Sequence, residues 1–123
     1  MADETYTDQL CAWSQELPGS IFEHPFGPEA AVFKVGGKIF ALVAVDGSEY
    51  VTLKVEPDEG IALRAQHDFV REGYYMNKRH WITIDLGPDV TMSEVRELVE
   101  SSHALVVSTL TKKLRVELGL AAG

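Results

Sequence analysis

Two apolar, β-branched runs, Ala30–Val35 and Lys38–Val45, are separated only by Gly36-Gly37, and Asp46-Gly47 stands between the second run and a third, Tyr50–Val55. Glycine pairs and Asp-Gly supply the positive φ angles that tight hairpin turns demand. Connections this short make neighbouring strands antiparallel, so the centre of the chain reads as a three-stranded meander. Around it the pattern changes. Tyr6, Leu10, Trp13 and Leu17 recur at helical spacing, and Pro18-Gly19 stops that helix. Ser20 to Phe26 forms a short strand. Pro57-Asp58-Glu59 opens a second helix with acids suited to its N-terminal dipole, carrying Ile61, Leu63 and Ala65. Gly73-Tyr74-Tyr75 and His80–Leu86 read as two further strands around Met76–Arg79. A capping box, Thr91 with Glu94, starts a helical stripe from Thr91 to Leu118, with a break expected near Ser101-Ser102.

The order is thus helix, three or four strands, helix, two strands, helix. It predicts an α+β fold, with an antiparallel sheet of five to six strands and helices packed on one face. The 123 residues carry no low-complexity linker and no internal repeat, so residues 1–123 are expected to form a single domain. No apolar run approaches the roughly 20 residues of a membrane span, and the acidic start of the chain has no leader-like hydrophobic stretch behind it. With one cysteine, Cys11, no internal disulfide forms. A cytoplasmic, monomeric protein is expected.

The formal net charge is −8, and its position matters more than its size. Residues 1–33 hold six acids and no lysine or arginine, whereas residues 34–123 hold all 11 bases against 13 acids. A polyanion is repelled by the whole chain but meets a nearly balanced charge beyond Lys34. Period-two alternation turns Tyr50, Thr52 and Lys54 away from the core on one strand, and Trp81, Thr83 and Asp85 on another. With Lys34 these would line a sheet face left open by the helices.

Leu17-Pro18-Gly19, Phe33-Lys34-Val35-Gly36-Gly37-Lys38-Ile39-Phe40, Thr52-Leu53-Lys54, Asn77-Lys78-Arg79-His80-Trp81-Ile82 and Ser101-Ser102, in that order, resemble the MmcQ/YjbR family. The likeness runs from about Leu10 to Leu114. It implies a CyaY-like fold, a double-wing arrangement and DNA binding. By position, the characteristic polar residues it carries over are Lys38, Lys54, Asn77, Lys78, His80, Trp81 and Ser102. This chain has His103 where the family has tyrosine.

For DNA, Trp81 and Tyr50 would stack on bases, and Lys34, Lys54, Lys78 and Arg79 would meet phosphates. The Gly36-Gly37 and Asp46-Gly47 hairpins would act as wings. The alternative is a protein or peptide partner on the same face, for which an acidic chain suits a basic client. Neither a metal nor a cofactor is expected. Glu100 and His103 make a lone E-x-x-H where a di-iron site needs two copies, and the acids Asp3, Glu4, Asp8 and Glu16 would hold a cation only loosely. Tyr74 and Lys78 match a dehydrogenase spacing without the glycine-rich cofactor loop that spacing requires. A non-enzymatic binding protein is expected.

Overall fold

A computed structural model describes residues 6–24, 30–44, 49–73 and 77–120. The elements are α1 (Tyr6–Glu16), β1 (Ile21–Glu23), β2 (Ala30–Val35), β3 (Lys38–Ala44), β4 (Tyr50–Lys54), α2 (Pro57–Gln66), β5 (Val70–Glu72), β6 (Trp81–Asp85), α3 (Met92–Ser108) and α4 (Lys112–Glu117). Six strands form one antiparallel sheet in the order β1-β2-β3-β4-β6-β5. The α+β architecture read from the turns is the one observed. The Asp46-Gly47 turn, Tyr74, Tyr75, Phe26 and the acids Asp3 and Glu4 lie outside the described residues.

One sheet face carries the main core. Phe33, Val35, Phe40, Val43, Val51, Leu53, Ile82 and Ile84 are buried there beneath Leu10 of α1 and Val95, Val99 and Val106 of α3. Each such side chain contributes about 1.5–3 kcal/mol through burial. Gly36 and Gly37 have φ of 59° and 80°, so the β2–β3 turn uses the left-handed conformation at both positions. A Cβ on Gly36 would lie 2.7 Å from the methyls of Leu110. The hairpin tip is therefore docked against the end of α3. Lys38 Nζ, which donates to Thr109 Oγ1 at 3.1 Å, holds it from the other side.

Several boundaries differ from expectation. Of the strand expected at Gly73-Tyr74-Tyr75 only Gly73 is described, and a strand that was not expected spans Val70–Glu72, where only Val70 is buried and so leaves no alternation to read. Helix α2 turns Gly60 and Leu63 inward and leaves Ile61 58% exposed, because a close approach to the sheet favours the small residue over the large one. On α1 the deeply buried residues are Thr7, Leu10 and Ser14, with Trp13 and Leu17 packed alongside.

Helix α3 runs unbroken through Ser101-Ser102. Its break falls after Ser108, where the hydroxyls of Ser108 and Thr109 bond back to the carbonyls of Leu105 and Val106 at 2.6 and 2.7 Å. Thr111 then caps α4 by accepting from the Leu114 N–H at 3.1 Å. The Thr91–Glu94 capping box does not form through side chains; the Glu94 N–H bonds the Thr91 carbonyl at 3.0 Å instead.

Candidate functional site

The register sorts the second sheet face into rows. Ile21 opposes Lys34, Lys34 opposes Ile39, and Lys54 opposes Trp81, which makes a row near the hairpin end. The next row runs Glu23, Val32, Leu42, Thr52, Thr83 and Arg71. Beyond it Ala30 opposes Ala44, and Tyr50 opposes Asp85. Alternation therefore assigned Lys34, Tyr50, Lys54 and Trp81 to one face correctly.

The centre of that face is not open. Thr52 and Thr83 are fully buried and share a hydrogen bond of 2.8 Å. Ala30, Val32 and Leu42 form a small second core against which Ile39 and Tyr50 pack. Three of the cations around it are engaged. Lys34 Nζ meets Glu23 Oε1 at 2.9 Å, and Arg71 makes a two-pronged contact with Asp85 at 2.9 and 3.1 Å. The Arg71 guanidinium also lies 5.7 Å from the Tyr50 ring centroid. Lys78, on the turn before β6, reaches Glu72 at 3.4 Å. Such exposed pairs add little stability, but each carboxylate cancels a charge that a phosphate would need. Glu23, Arg71 and Glu72 are the residues that sequence reasoning missed on or beside this face. Their one-residue signal at short edge strands is too weak to find them.

Asn77, Lys78, Arg79 and His80 form an exposed turn leading into Trp81, in which the Asn77 side-chain oxygen accepts the Arg79 N–H at 2.9 Å. Gly73 packs beside Trp81. A Cβ there would lie 2.5 Å from the Trp81 Cβ, so only glycine passes, and its N–H bonds the Trp81 carbonyl at 3.0 Å. Lys38 belongs to the hairpin end held by Thr109 and not to the Trp81 group.

Ser102 lies on the other side of the sheet. Ala41 pairs with Leu53, so the next opposed residues are Phe40 and Lys54. Between them the Ser102 hydroxyl is inserted, accepting the Lys54 N–H at 2.9 Å and donating to the Phe40 carbonyl at 2.6 Å. Phe40 is also the extra residue of a β-bulge opposite Phe33 and Lys34. Ser102 thus closes a gap in the ladder and cannot share a ligand with Trp81. His103 beside it is buried, donates from Nε2 to the Pro18 carbonyl at 2.8 Å, and meets Phe40 edge-on at 5.1 Å. That bond ties α3 to the turn after α1, while Glu100 points to solvent, so the E-x-x-H spacing makes no common site.

A second candidate lies between α2 and α3. A cavity of about 410 Å³ there is floored by Val70, Ile84, Val95 and Leu98, and it adjoins another of about 270 Å³ that shares Glu59 and Ser101. Glu56 and Glu59 stand on one wall, and Glu94 and Glu97 on the other. Among the described residues the lining holds neither lysine nor arginine. Glu94 and Glu97 sit three residues apart on one side of α3, and Glu56, the extended N-cap of α2, precedes Glu59 by the same interval. Arg96, the base nearest in sequence, sits over the Trp13 ring at 5.3 Å instead.

Six antiparallel strands with helices on one face place the chain in the α+β class. The chain belongs to the YjbR family, whose model matches residues 15–105. It is 38% identical over 99 residues to the uncharacterized protein YbdF of Escherichia coli O157:H7, covering 80% of this chain and 81% of that one. Against the uncharacterized protein YjbR of Escherichia coli K12 it is 34% identical over 88 residues, covering 71% and 75%. The crystal structure of the Deinococcus radiodurans protein DR2400, a DUF419 domain, superposes with a TM-score of 0.87 at 36% identity, over 97% of this chain and 94% of that one. A Pseudomonas syringae crystal structure matches at a TM-score of 0.67 and 30% identity, over 80% and 96%. Among the described residues no helix is long and apolar enough to cross a membrane.

Proposed function

We propose that this chain is a non-enzymatic binding protein whose ligand is a positively charged protein or peptide segment. The observation that carries this reading is the pairing of charge. On and beside the second sheet face Lys34, Arg71 and Lys78 are met by Glu23, Asp85 and Glu72, whereas the glutamates between α2 and α3 have no lysine or arginine among the described lining residues. DNA affinity draws on cations free to release counterions from phosphate, and a face neutralised by its own carboxylates supplies few. The wing reading loses support as well, since the Gly36-Gly37 tip is docked against Leu110.

The non-enzymatic reading rests on how the polar groups are used. His103 and His24 are committed to backbone carbonyls, and His67 stacks on Phe69 at 4.7 Å. Burial, with Asp8 nearby, pushes the Cys11 thiol up to about 11, which makes it a poor nucleophile. A reducing cytoplasmic setting accords with that lone thiol.

Fluorescence anisotropy tests the reading directly. Labelled duplex DNA, single-stranded DNA and a lysine-rich peptide are titrated with the protein at low and moderate salt. Saturable binding of the peptide alone, weakening as salt rises, is the expected result. Association with DNA that weakens in Lys54→Ala would overturn it in favour of the nucleic-acid reading.

A further inference from the structure

We infer that the groove between α2 and α3 is a docking site for a basic amphipathic helix; this rests on the binding function proposed above and gives it a place and an occupant. The groove follows one stripe of α3. Thr91, Glu94, Leu98, Ser101, Leu105 and Ser108 recur at spacings of three and four and line it throughout. At 1.5 Å per residue that stripe is about 25 Å long. On the facing wall Glu59 and Leu63 follow the same spacing along α2, and Glu56 stands at its N-cap. The site is therefore an elongated trough with an apolar floor and a glutamate rim on both sides.

The shape of the charge selects the occupant. A helix presents a stripe of anchors flanked on both sides by whatever its sequence places there. Leucine-type anchors can enter the 410 Å³ cavity while lysines or arginines on either flank meet Glu59 on one wall and Glu94 and Glu97 on the other. An extended strand would present only alternate side chains to the trough. It would also need a free backbone edge, and the walls are helices whose internal amides are already bonded. A nucleic acid is repelled by the same four glutamates.

The test uses the full chain and an 18-residue Leu–Lys peptide patterned to form an amphipathic helix, labelled at one end. Glu59→Lys with Glu97→Lys reverses the rim. Glu16→Lys with Glu117→Lys makes the same change in net charge on α1 and α4, outside the groove. All four glutamates are exposed, and thermal melts of each variant check the fold. The rim pair is expected to weaken binding by about tenfold or more, and the remote pair by less than about threefold. Methyl chemical shifts of Leu63, Val95 and Leu98 in the unaltered protein should move on titration. Equal losses in the two variant pairs would overturn the inference, since acidity anywhere would then suffice. Shifts confined to Thr52, Lys54 and Trp81 would also overturn it, yet leave peptide binding in place on the sheet. Failure of the unaltered protein to bind the peptide would remove both.

Discussion

The second sheet face and the α2–α3 groove carry similar numbers of ionisable groups but use them in opposite ways. On the sheet, Lys34 with Glu23 and Arg71 with Asp85 are matched within hydrogen-bonding distance. In the groove, four glutamates face one another across an apolar floor without a lysine or arginine among the described lining residues. Charge that is already paired is neutralised by its partner even where both groups stay in contact with solvent. Charge held unpaired at the rim of a concavity is available to an outside group. Counting lysines on a strand therefore overstates a surface's affinity for anions, and the partner of each lysine decides the matter.

The largest expected effect lies at Ser102, which the resemblance places with Trp81 and which the structure places in the β3–β4 ladder. Ser102→Ala strands the Lys54 N–H and the Phe40 carbonyl, at about 1–3 kcal/mol for each buried group left unsatisfied. A loss of about 2–4 kcal/mol in urea unfolding is expected. A variant of full stability but weakened binding would break the division between the two regions. Next comes Thr52→Val, which leaves Thr83 facing a methyl and is expected to cost about 1–2 kcal/mol. The double change Thr52→Val with Thr83→Val should cost less than the sum of its parts in the same assay. Additive losses would show that the two hydroxyls act separately.

Smaller still is Lys34→Ala, at about 0.5 kcal/mol or less in stability and under about twofold in peptide affinity. A large loss of affinity there would return the binding site to the sheet. The smallest effect sought is at Cys11 on α1, which does not line the groove. Because burial and then Asp8 raise its pKa from 9.0 to about 11, the folded thiol stays protonated where the unfolded one would ionise. The fold therefore loses a little stability as pH rises between those values, and labelling by a thiol reagent at pH 8 stays slow. Faster labelling in any groove or sheet variant would identify unfolding as the cause of its lost binding.

Much of the frame was readable because period-two patterns report which side of a sheet a residue occupies. Lys34, Tyr50, Lys54 and Trp81 were placed on one face by alternation alone. What that pattern cannot report is whether a face is covered. Thr52 and Thr83 stand where alternation puts them and are nonetheless buried. Nor can it report a bulge: the extra residue at Phe40 opens the ladder that Ser102 fills, and a serine pair in a helix reads equally well as a break. Short edge strands such as β1 and β5 offer too few residues for any period, so Glu23 and Arg71 went unnoticed. The glutamates at α2 and α3 belong to no motif in the sequence. Their meeting across a cavity depended on where two helices land on the sheet, which is a tertiary fact.

The Ser102 hydroxyl has one more consequence. A helix resting on a sheet through apolar contacts alone can slide, since one methyl substitutes for another. Helix α3 is different, because its hydroxyl is seated between two particular backbone groups, Lys54 N–H and Phe40 C=O. A shift by even one residue, about 1.5 Å along the axis, would pull the hydroxyl away from both. The wall of the trough is thereby locked in axial position, and a partner helix meets Glu94, Leu98 and Ser101 at fixed heights above the floor. What looks like a repair to a sheet also works as a ruler.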